Sequence, residues 1–190
     1  MRMRYLGDSY DIVKQSLLLW LRNFGSWSVH PMFTEAVSPE DVAAFESLLG
    51  AKVVTTEVLT LDSDRSNYFS CAASTDNLFL DPDTGLRMRS TRGVRAPEYL
   101  FGTELLRLVE QRPTSLTVVF DQSVGRGSER LHLEGKLRKL LHHKVFGFAY
   151  VSHACFLVAS LDHSLVERAR NQVVSESRLP NSRFLSVADV

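Results

Sequence analysis

The sequence has few of the residues that mark several large classes of protein. It holds only two cysteines in 190 residues, Cys71 and Cys155, and both stand in apolar stretches, so no disulfide framework is expected. The longest apolar runs, at 17–21 and at 151–159 with interruptions at Ser152 and His153, are far shorter than the roughly 20 residues that span a bilayer. The first 14 residues lack an apolar run followed by a cleavage site, and no signal peptide is expected. These absences predict a cytoplasmic protein whose reduced thiols act as small core residues.

The sequence also has no excess charge of either sign. Its 22 basic and 22 acidic residues cancel, so the net charge favours neither nucleic acid nor a membrane as partner. With 44% hydrophobic and 23% charged residues, the chain is too apolar to be disordered, and we expect a single domain over 1–190. The charge is nevertheless uneven. Residues 1–75 contain 6 basic and 9 acidic residues, whereas residues 87–144 contain 12 basic and 6 acidic ones.

The sequence contains no GxGxxG, no P-loop and no GxSxG motif. The first expected strand, at 27–30, runs into Pro31-Met32-Phe33-Thr34 and not into glycines. This argues against a dinucleotide or nucleoside triphosphate bound in the usual way, and we expect no cofactor. The histidines and cysteines lack metal-ligand spacing, so no metal is expected. A carboxylate-only magnesium site formed by Asp81, Asp83 and Asp121 stays open as an alternative.

Short apolar segments alternate with helical patterns along the chain, which predicts an α/β fold. We expect a three-layer, Rossmann-like arrangement with a mostly parallel sheet and helices on both faces. A loop is expected over 86–97 and an edge strand after Pro180. Helices are expected at 8–24, 38–49, 97–111, 128–143 and 164–174, and strands at 27–30, 52–59, 77–80, 116–120, 146–151 and 154–160.

Ligands of such folds bind beyond the carboxyl ends of the strands, which makes the residues there the candidates for chemistry. The strongest candidate is Leu80-Asp81-Pro82-Asp83-Thr84-Gly85, where a buried strand ends in two carboxylates. Two acids this close repel, so one should have a raised pKa unless a cation intervenes. Asp81 and Asp83 are therefore the expected catalytic pair. The structural alternative is an Asx-type turn in which both carboxylates accept backbone N–H groups.

Two further segments supply candidate ligand-binding residues. Asp8, Asp11 and Lys14 are spaced to share one side of a helix start, although Asp8 as N-cap and Asp11 in the first turn would also stabilise that helix. Asp121 and Gln122 end another apolar strand. Gln122 offers both a donor and an acceptor to a base edge, and the alternative is a helix-capping role for Asp121.

Other residues near predicted strand ends complete the candidate site. His30, Ser152 and His153 could contact a substrate, although a lone histidine is more often structural. A basic loop follows the aspartate pair, and Arg126 follows the next strand end; we expect these residues to contact phosphates, with ordinary loop arginines as the alternative. For the cations of helix 128–144 a solvated face is favoured. The arginines of the loop are Arg87, Arg89, Arg92 and Arg95.

The segment from Leu78 to Asp83 resembles the strand-four motif (D/N)PP(Y/F) of S-adenosylmethionine-dependent N6-adenine methyltransferases. Asp81 and Pro82 match, whereas Asp83 and Thr84 replace the second proline and the aromatic residue. The segment from Gly7 to Lys14 resembles the N-terminal segment of ribosomal-RNA adenine methyltransferases, and residues 148–158 resemble their closing hairpin. The glycine-rich cofactor loop is missing. The resemblance therefore implies a Rossmann-like scaffold that has lost its methyl-donor site.

The combination of GDxxDxxK, HPMFT, LDPDxG and FDQS also resembles small bacterial proteins of phage defence. These include DNA glycosylases that remove glucosylated hydroxymethylcytosine from phage DNA. The resemblance implies hydrolysis of an N-glycosidic bond in modified DNA after base flipping. On this hypothesis Asp81 activates water, Asp83 supports it, and Asp8, Asp121 and Gln122 hold the flipped nucleotide. The alternatives are a nucleic-acid methyltransferase, a magnesium-dependent nuclease and a nucleic-acid- or partner-binding module on the same scaffold.

Overall fold

The computed structural model describes residues 3–90, 93–125 and 127–186. These residues form a seven-stranded sheet, a separate two-stranded sheet and six α-helices. The helices are α1 (Ser9–Trp20), α2 (Pro39–Leu49), α3 (Arg65–Tyr68), α4 (Gly102–Gln111), α5 (Glu129–His142) and α6 (His163–Ser177). The strands are β1 (Trp27–His30), β2 (Lys52–Val53), β3 (Asn77–Leu80), β4 (Gly85–Arg87), β5 (Tyr99–Phe101), β6 (Thr117–Phe120), β7 (Phe146–Tyr150), β8 (Phe156–Ser160) and β9 (Phe184–Ser186).

The large sheet has the strand order β2-β1-β3-β6-β8-β7-β9. Its first four strands are parallel, and the pairs β6–β8, β7–β8 and β7–β9 are antiparallel. The α/β class is thus confirmed, but the sheet is mixed. The reason lies in the connections, because the five residues 151–155 between β7 and β8 suit a hairpin and are too short for a parallel crossover.

The helix boundaries follow from capping residues visible in the sequence. The Asp8 carboxylate accepts the backbone N–H groups of Tyr10 and Asp11 at 2.8 and 3.1 Å, which begins α1. The Ser38 hydroxyl caps α2, and that helix ends at Gly50 in the left-handed conformation at φ = 64°. Side-chain caps and a left-handed glycine satisfy backbone groups that a helix end leaves unpaired.

The structure corrects three predicted elements. Only Lys52–Val53 of the expected strand 52–59 pairs with the sheet. The expected loop contains β4, which pairs in parallel with β5, and the helix expected from Pro97 begins at Gly102. Tertiary contacts outweigh the local signal here, because the Arg65 guanidinium donates to the Tyr99 carbonyl at 2.8 Å and also binds Glu104. Such long-range partners cannot be read from local propensity.

Two apolar clusters form the core. One packs α1, α2 and α6 with strand residues that include Phe79, and the other packs α4 and α5 with strand residues that include Leu78 and Leu80. Side chains along β3 therefore alternate between the clusters, as the period of two in a strand requires. Cys155 is a core residue as predicted, but Cys71 is exposed. Over the described ranges, every helix is too short or too polar to cross a bilayer.

Candidate active site

The first helix and the third strand meet in a buried ion-pair cluster. The Lys14 ammonium donates to Asp11 Oδ1 at 2.8 Å and to Asp81 Oδ2 at 2.9 Å. All three residues are at most 5% exposed. The backbone N–H of Gly7 donates to the other oxygen of Asp11 at 2.9 Å. The GDxxDxxK and LDPD segments, 67 residues apart at Lys14 and Asp81, thus form one structural unit, the buried triad of Asp11, Lys14 and Asp81.

The buried triad has more acid than base. Burial raises the pKa of Asp81, and the nearby Lys14 ammonium offsets only part of that rise. Burial alone would lower the pKa of Lys14, but the carboxylates of Asp81 and Asp11 outweigh it and the pKa is raised. Lys14 is therefore cationic at neutral pH, and its Nζ also lies 4.5 Å from the centroid of the Phe120 ring. With both carboxylates ionised the triad carries one net negative charge.

The triad forms the floor of a cavity of about 290 Å³ at the carboxyl ends of β3 and β6, which we name the acidic cavity. Aromatic rings of Tyr5, Tyr10 and Phe120 line it, together with Pro82 and the amide of Gln122. Its charged lining consists of one ammonium, Lys14, and four carboxylates. The position agrees with the rule that ligands bind beyond the carboxyl ends of strands. The four carboxylates belong to Asp8, Asp11, Asp81 and Asp83.

Asp83 is the more accessible member of the predicted catalytic pair. Asp81 is 1% exposed and bound to Lys14, whereas Asp83 is half-buried and accepts a hydrogen bond from the Thr34 hydroxyl at 2.6 Å. The sequence predicts that Asp81 and Asp83 repel each other unless a cation intervenes. That cation is Lys14, and it binds Asp81. A carboxylate needs access to water if it is to take a proton from it, and this favours Asp83 for that role.

Thr34 is a site residue that the sequence argument missed. It reaches Asp83 because the chain after β1 turns at Met32, a fully buried residue with φ = 51°. A non-glycine residue in the left-handed region is unfavourable and must be held by its surroundings. The backbone N–H of Leu59 donates to the Phe33 carbonyl at 2.7 Å and secures this turn. The usable signal was the placement of HPMFT directly after the first strand.

Asp121 and Gln122 are consecutive in the chain but face different surroundings. Gln122 lines the acidic cavity and donates through Nε2 to the His153 carbonyl at 2.8 Å. Asp121 is fully buried and accepts from Lys136 Nζ and from the backbone N–H of Leu86 at 3.1 Å. Asp121 thus joins the end of β6 to β4 and α5 and does not line the cavity. Gly85 permits this, because a Cβ there would overlap the Asp121 carboxylate.

His30 does not reach the cavity. Its ring is fully buried, with its centroid 4.8 Å from that of Tyr68 and 5.0 Å from that of Phe69. The ring atom Nε2 lies 3.4 Å from the Tyr68 carbonyl, and Nδ1 has no hydrogen-bond partner. Burial lowers the pKa of His30 to about 4, so the ring is neutral at pH 7. The structure gives His30 the role of a core residue.

This burial predicts a pH-dependent contribution to stability. Because the folded pKa of about 4 lies below the unfolded value of about 6.5, the unfolded state binds the proton first as pH falls. Protonation of His30 in the unfolded state should therefore lower the free energy of unfolding of the wild type by on the order of 3 kcal/mol as the pH falls from 6.5 to 4. Urea unfolding of His30→Leu should show a flatter pH dependence over that window. Parallel pH curves for the two proteins would contradict the prediction.

Ser152 and His153 have different positions in the turn between β7 and β8. The Ser152 hydroxyl donates to the Ala154 carbonyl at 2.9 Å and accepts its N–H at 3.1 Å, which is a local turn interaction. The exposed His153 ring lies 5.5 Å from the Tyr10 ring, between their centroids. Neither residue lines the acidic cavity, but His153 lies beside it through its contact with Tyr10.

The predicted phosphate-binding arginines have mixed surroundings. The Arg87 guanidinium stacks over the Tyr99 ring at 3.7 Å from its centroid, and Arg89 is exposed. Arg95 is exposed and pairs with Glu98 at 2.7 Å. Arg92 and Arg126 lie outside the described residues. None of the three described arginines lines the acidic cavity.

The three aspartates of the magnesium alternative do not converge. Asp81 binds Lys14 and Asp121 binds Lys136, and these two ion pairs lie on opposite sides of β6. Within the described ranges, no three His, Cys, Asp or Glu side chains form a group that could hold a metal ion. No protein-family profile, curated protein or solved structure matches this chain.

Proposed function

We propose that the protein is a DNA glycosylase that hydrolyses the N-glycosidic bond of a modified base, such as a glucosylated one, in phage DNA, on a three-layer Rossmann-like scaffold. The supporting observation is the acidic cavity, in which four carboxylates and one ammonium face aromatic walls. The reaction leaves an abasic site in the phage DNA, and this damage acts as an anti-phage defence. The absence of a cofactor motif fits a reaction that needs only water.

The charge of the cavity suits the chemistry of the glycosidic bond. Cleavage between C1′ and the base nitrogen leaves positive charge on the sugar, as in other glycoside hydrolyses. A preorganised negative field stabilises that charge most effectively where water is excluded. With both of its carboxylates ionised the buried triad supplies such a field, because Lys14 cancels only one of them. Asp81 therefore acts through its charge and position.

Asp83 takes the proton in this proposal. Its carboxylate accepts a proton from water as the water oxygen bonds to C1′, and the base leaves with the electron pair of the broken bond. A proton returned to the base nitrogen completes hydrolysis. The Thr34 hydroxyl, 2.6 Å from Asp83 Oδ2, holds the carboxylate in orientation. A positioned general base typically contributes about 10²–10⁴-fold to a rate.

The walls of the cavity suit an extruded base. The cavity volume of about 290 Å³ is close to the lower limit of about 300 Å³ that is usual for ligand sites. Tyr10 and Phe120 supply ring faces or edges, with 5.8 Å between their centroids, and Gln122 supplies an amide. Enzymes that act on a base extrude it from the duplex and hold it by stacking and hydrogen bonds. Asp8 stands at the start of α1, beside the sugar and base in this arrangement.

The direct test is base release from modified DNA. The full chain is incubated with phage DNA that carries glucosylated hydroxymethylcytosine and, in parallel, with the same DNA lacking the modification. We expect alkali-labile sites in the modified DNA alone and a modified base in the released fraction by mass spectrometry. Intact modified DNA after prolonged incubation would refute the glycosylase proposal.

A methyltransferase is the second candidate, because a negatively charged cavity with aromatic walls also attracts a sulfonium cation. It uses the same residues and the LDPD segment that resembles methyltransferase motifs. Calorimetry with S-adenosylmethionine separates the two candidates. Heat of binding that disappears in Asp81→Asn, together with transfer of labelled methyl groups to DNA, would favour this candidate over base release.

A further inference from the structure

A second cavity lies on the other side of the carboxyl end of β6, between β4 and α5, with a volume of about 420 Å³. Gln122 lines the acidic cavity, and the next residue, Ser123, lines this one. No acidic side chain lines it within the part of the chain that the structure describes. We name it the basic groove after its basic lining residues Arg87, Arg89, His132, Lys136 and Lys139.

Two cations of the basic groove, Arg87 and Lys136, are held in position. The Arg87 guanidinium stacks on Tyr99, whose ring is part of the same lining. Lys136 donates to the buried Asp121 carboxylate and to the Ser123 hydroxyl, so its charge is largely compensated. Arg89 and Lys139 are exposed, and their charges face a ligand in the groove. Stacked guanidinium groups and lysine ammonium groups are the usual partners of phosphates.

A glycine opens the wall of the basic groove. Gly135 lies in the middle of α5, one turn from Leu131 and from Lys139 on the same face. A Cβ at this position would meet no atom within 4 Å, so packing does not require glycine here. Glycine is also a poor residue for a helix interior. Its absent side chain lets a bulky ligand come close to the helix backbone.

We propose that the basic groove binds the phosphodiester backbone of the DNA strand next to the nucleotide that enters the acidic cavity, an inference that rests on the proposed function. The two cavities adjoin at residues 122 and 123 and carry opposite charge. Phosphates are repelled from the carboxylates of the first and attracted to the cations of the second. Lys139 and Lys136 thus belong to a ligand surface, in contrast to the solvated face favoured for this helix from sequence.

The test measures binding to unmodified DNA, which needs no base in the acidic cavity. Fluorescence anisotropy with a labelled duplex of about 20 base pairs gives the Kd at several salt concentrations. Arg89→Gln/Lys139→Gln should weaken binding about tenfold or more and make the salt slope shallower by about 2. Arg168→Gln, which removes an exposed cation from α6, is the control and should bind like the wild type. Equal loss in the control and the double variant would overturn the proposal.

Gly135→Leu supplies an independent readout. It adds bulk at the opening and replaces glycine with a good helix former, so DNA binding should weaken while thermal stability is kept or increased. Undiminished DNA binding by this variant would overturn the proposed path of the strand, and tighter binding to RNA of the same sequence would overturn the choice of DNA.

The two proposals fail in different ways. Loss of DNA binding in the double variant, with no base released by the wild type, would support the groove and refute the glycosylase. Base release by the wild type, with unchanged DNA affinity in the double variant, would support the glycosylase and refute the groove.

Discussion

Lys14→Met should lower the free energy of unfolding by about 3–5 kcal/mol at pH 7, the usual cost of removing one partner from a buried ion pair. Lys14 compensates two carboxylates that are almost fully buried, Asp11 and Asp81. Methionine fills a similar volume but leaves both charges without their cation. Urea unfolding followed by circular dichroism measures the effect.

The pH dependence of the stability loss in Lys14→Met shows whether the loss comes from the buried carboxylates. Burial already raises the pKa of Asp81, and loss of Lys14 removes the group that lowers it. A carboxyl whose folded pKa exceeds its unfolded pKa binds the proton more tightly in the folded state. Ionising it therefore costs no stability below the unfolded pKa of about 3.9, and the loss of stability grows as the pH rises towards the folded pKa. The deficit of Lys14→Met should therefore shrink on acidification from pH 7 towards pH 4.

Lys52→Met is the matched control. Lys52 pairs with Glu46 at 2.9 Å, but its side chain is 83% exposed. Exposed pairs contribute only about 0–1 kcal/mol, so this variant should unfold almost like the wild type. A loss in Lys14→Met no larger than that of Lys52→Met, or a deficit independent of pH, would contradict the assigned role of the buried triad.

Asp83→Asn should reduce the rate of base release by about 10²–10⁴-fold, the usual contribution of a positioned general base. The amide keeps the size of the side chain and can still accept a hydrogen bond from the Thr34 hydroxyl, but it cannot take a proton from water. Affinity for unmodified DNA should remain within about twofold of the wild type, because the basic groove and its phosphate contacts are unchanged. Single-turnover kinetics on modified DNA measures the rate.

Two comparisons make this result interpretable. Asp62→Asn changes an exposed turn aspartate outside the acidic cavity and should leave the rate unchanged. Asp81→Asn alters the charge of the buried triad, so it should lower both the rate and the stability. Full activity in Asp83→Asn would remove Asp83 from the proposed chemistry, and an equal loss in Asp62→Asn would point to a general effect of lost charge.

Local sequence accounts for much of the fold. Capping at Asp8 and Ser38 and the left-handed Gly50 are short-range effects, and the apolar runs that became β1, β3, β6, β7 and β8 were evident. The expected edge strand after Pro180 is present as β9. The sequence does not predict the pairing of β4 with β5, because neither three-residue strand has a strong local signal. Each depends on a distant partner, which is Asp121 for β4 and Arg65 for β5.

Residue spacing alone places Asp8, Asp11 and Lys14 on one side of a helix start, because spacing along a regular element sets the direction of its side chains. The apolar runs likewise show that Asp81, Asp83 and Gln122 follow buried strands. The folded chain shows in addition that α1 covers the end of β3 and that Lys14 lies between two carboxylates. It also separated Asp121 from Gln122 and enclosed His30. Burial and charge pairing are properties of packed elements, and packing depends on contacts between residues far apart in the chain.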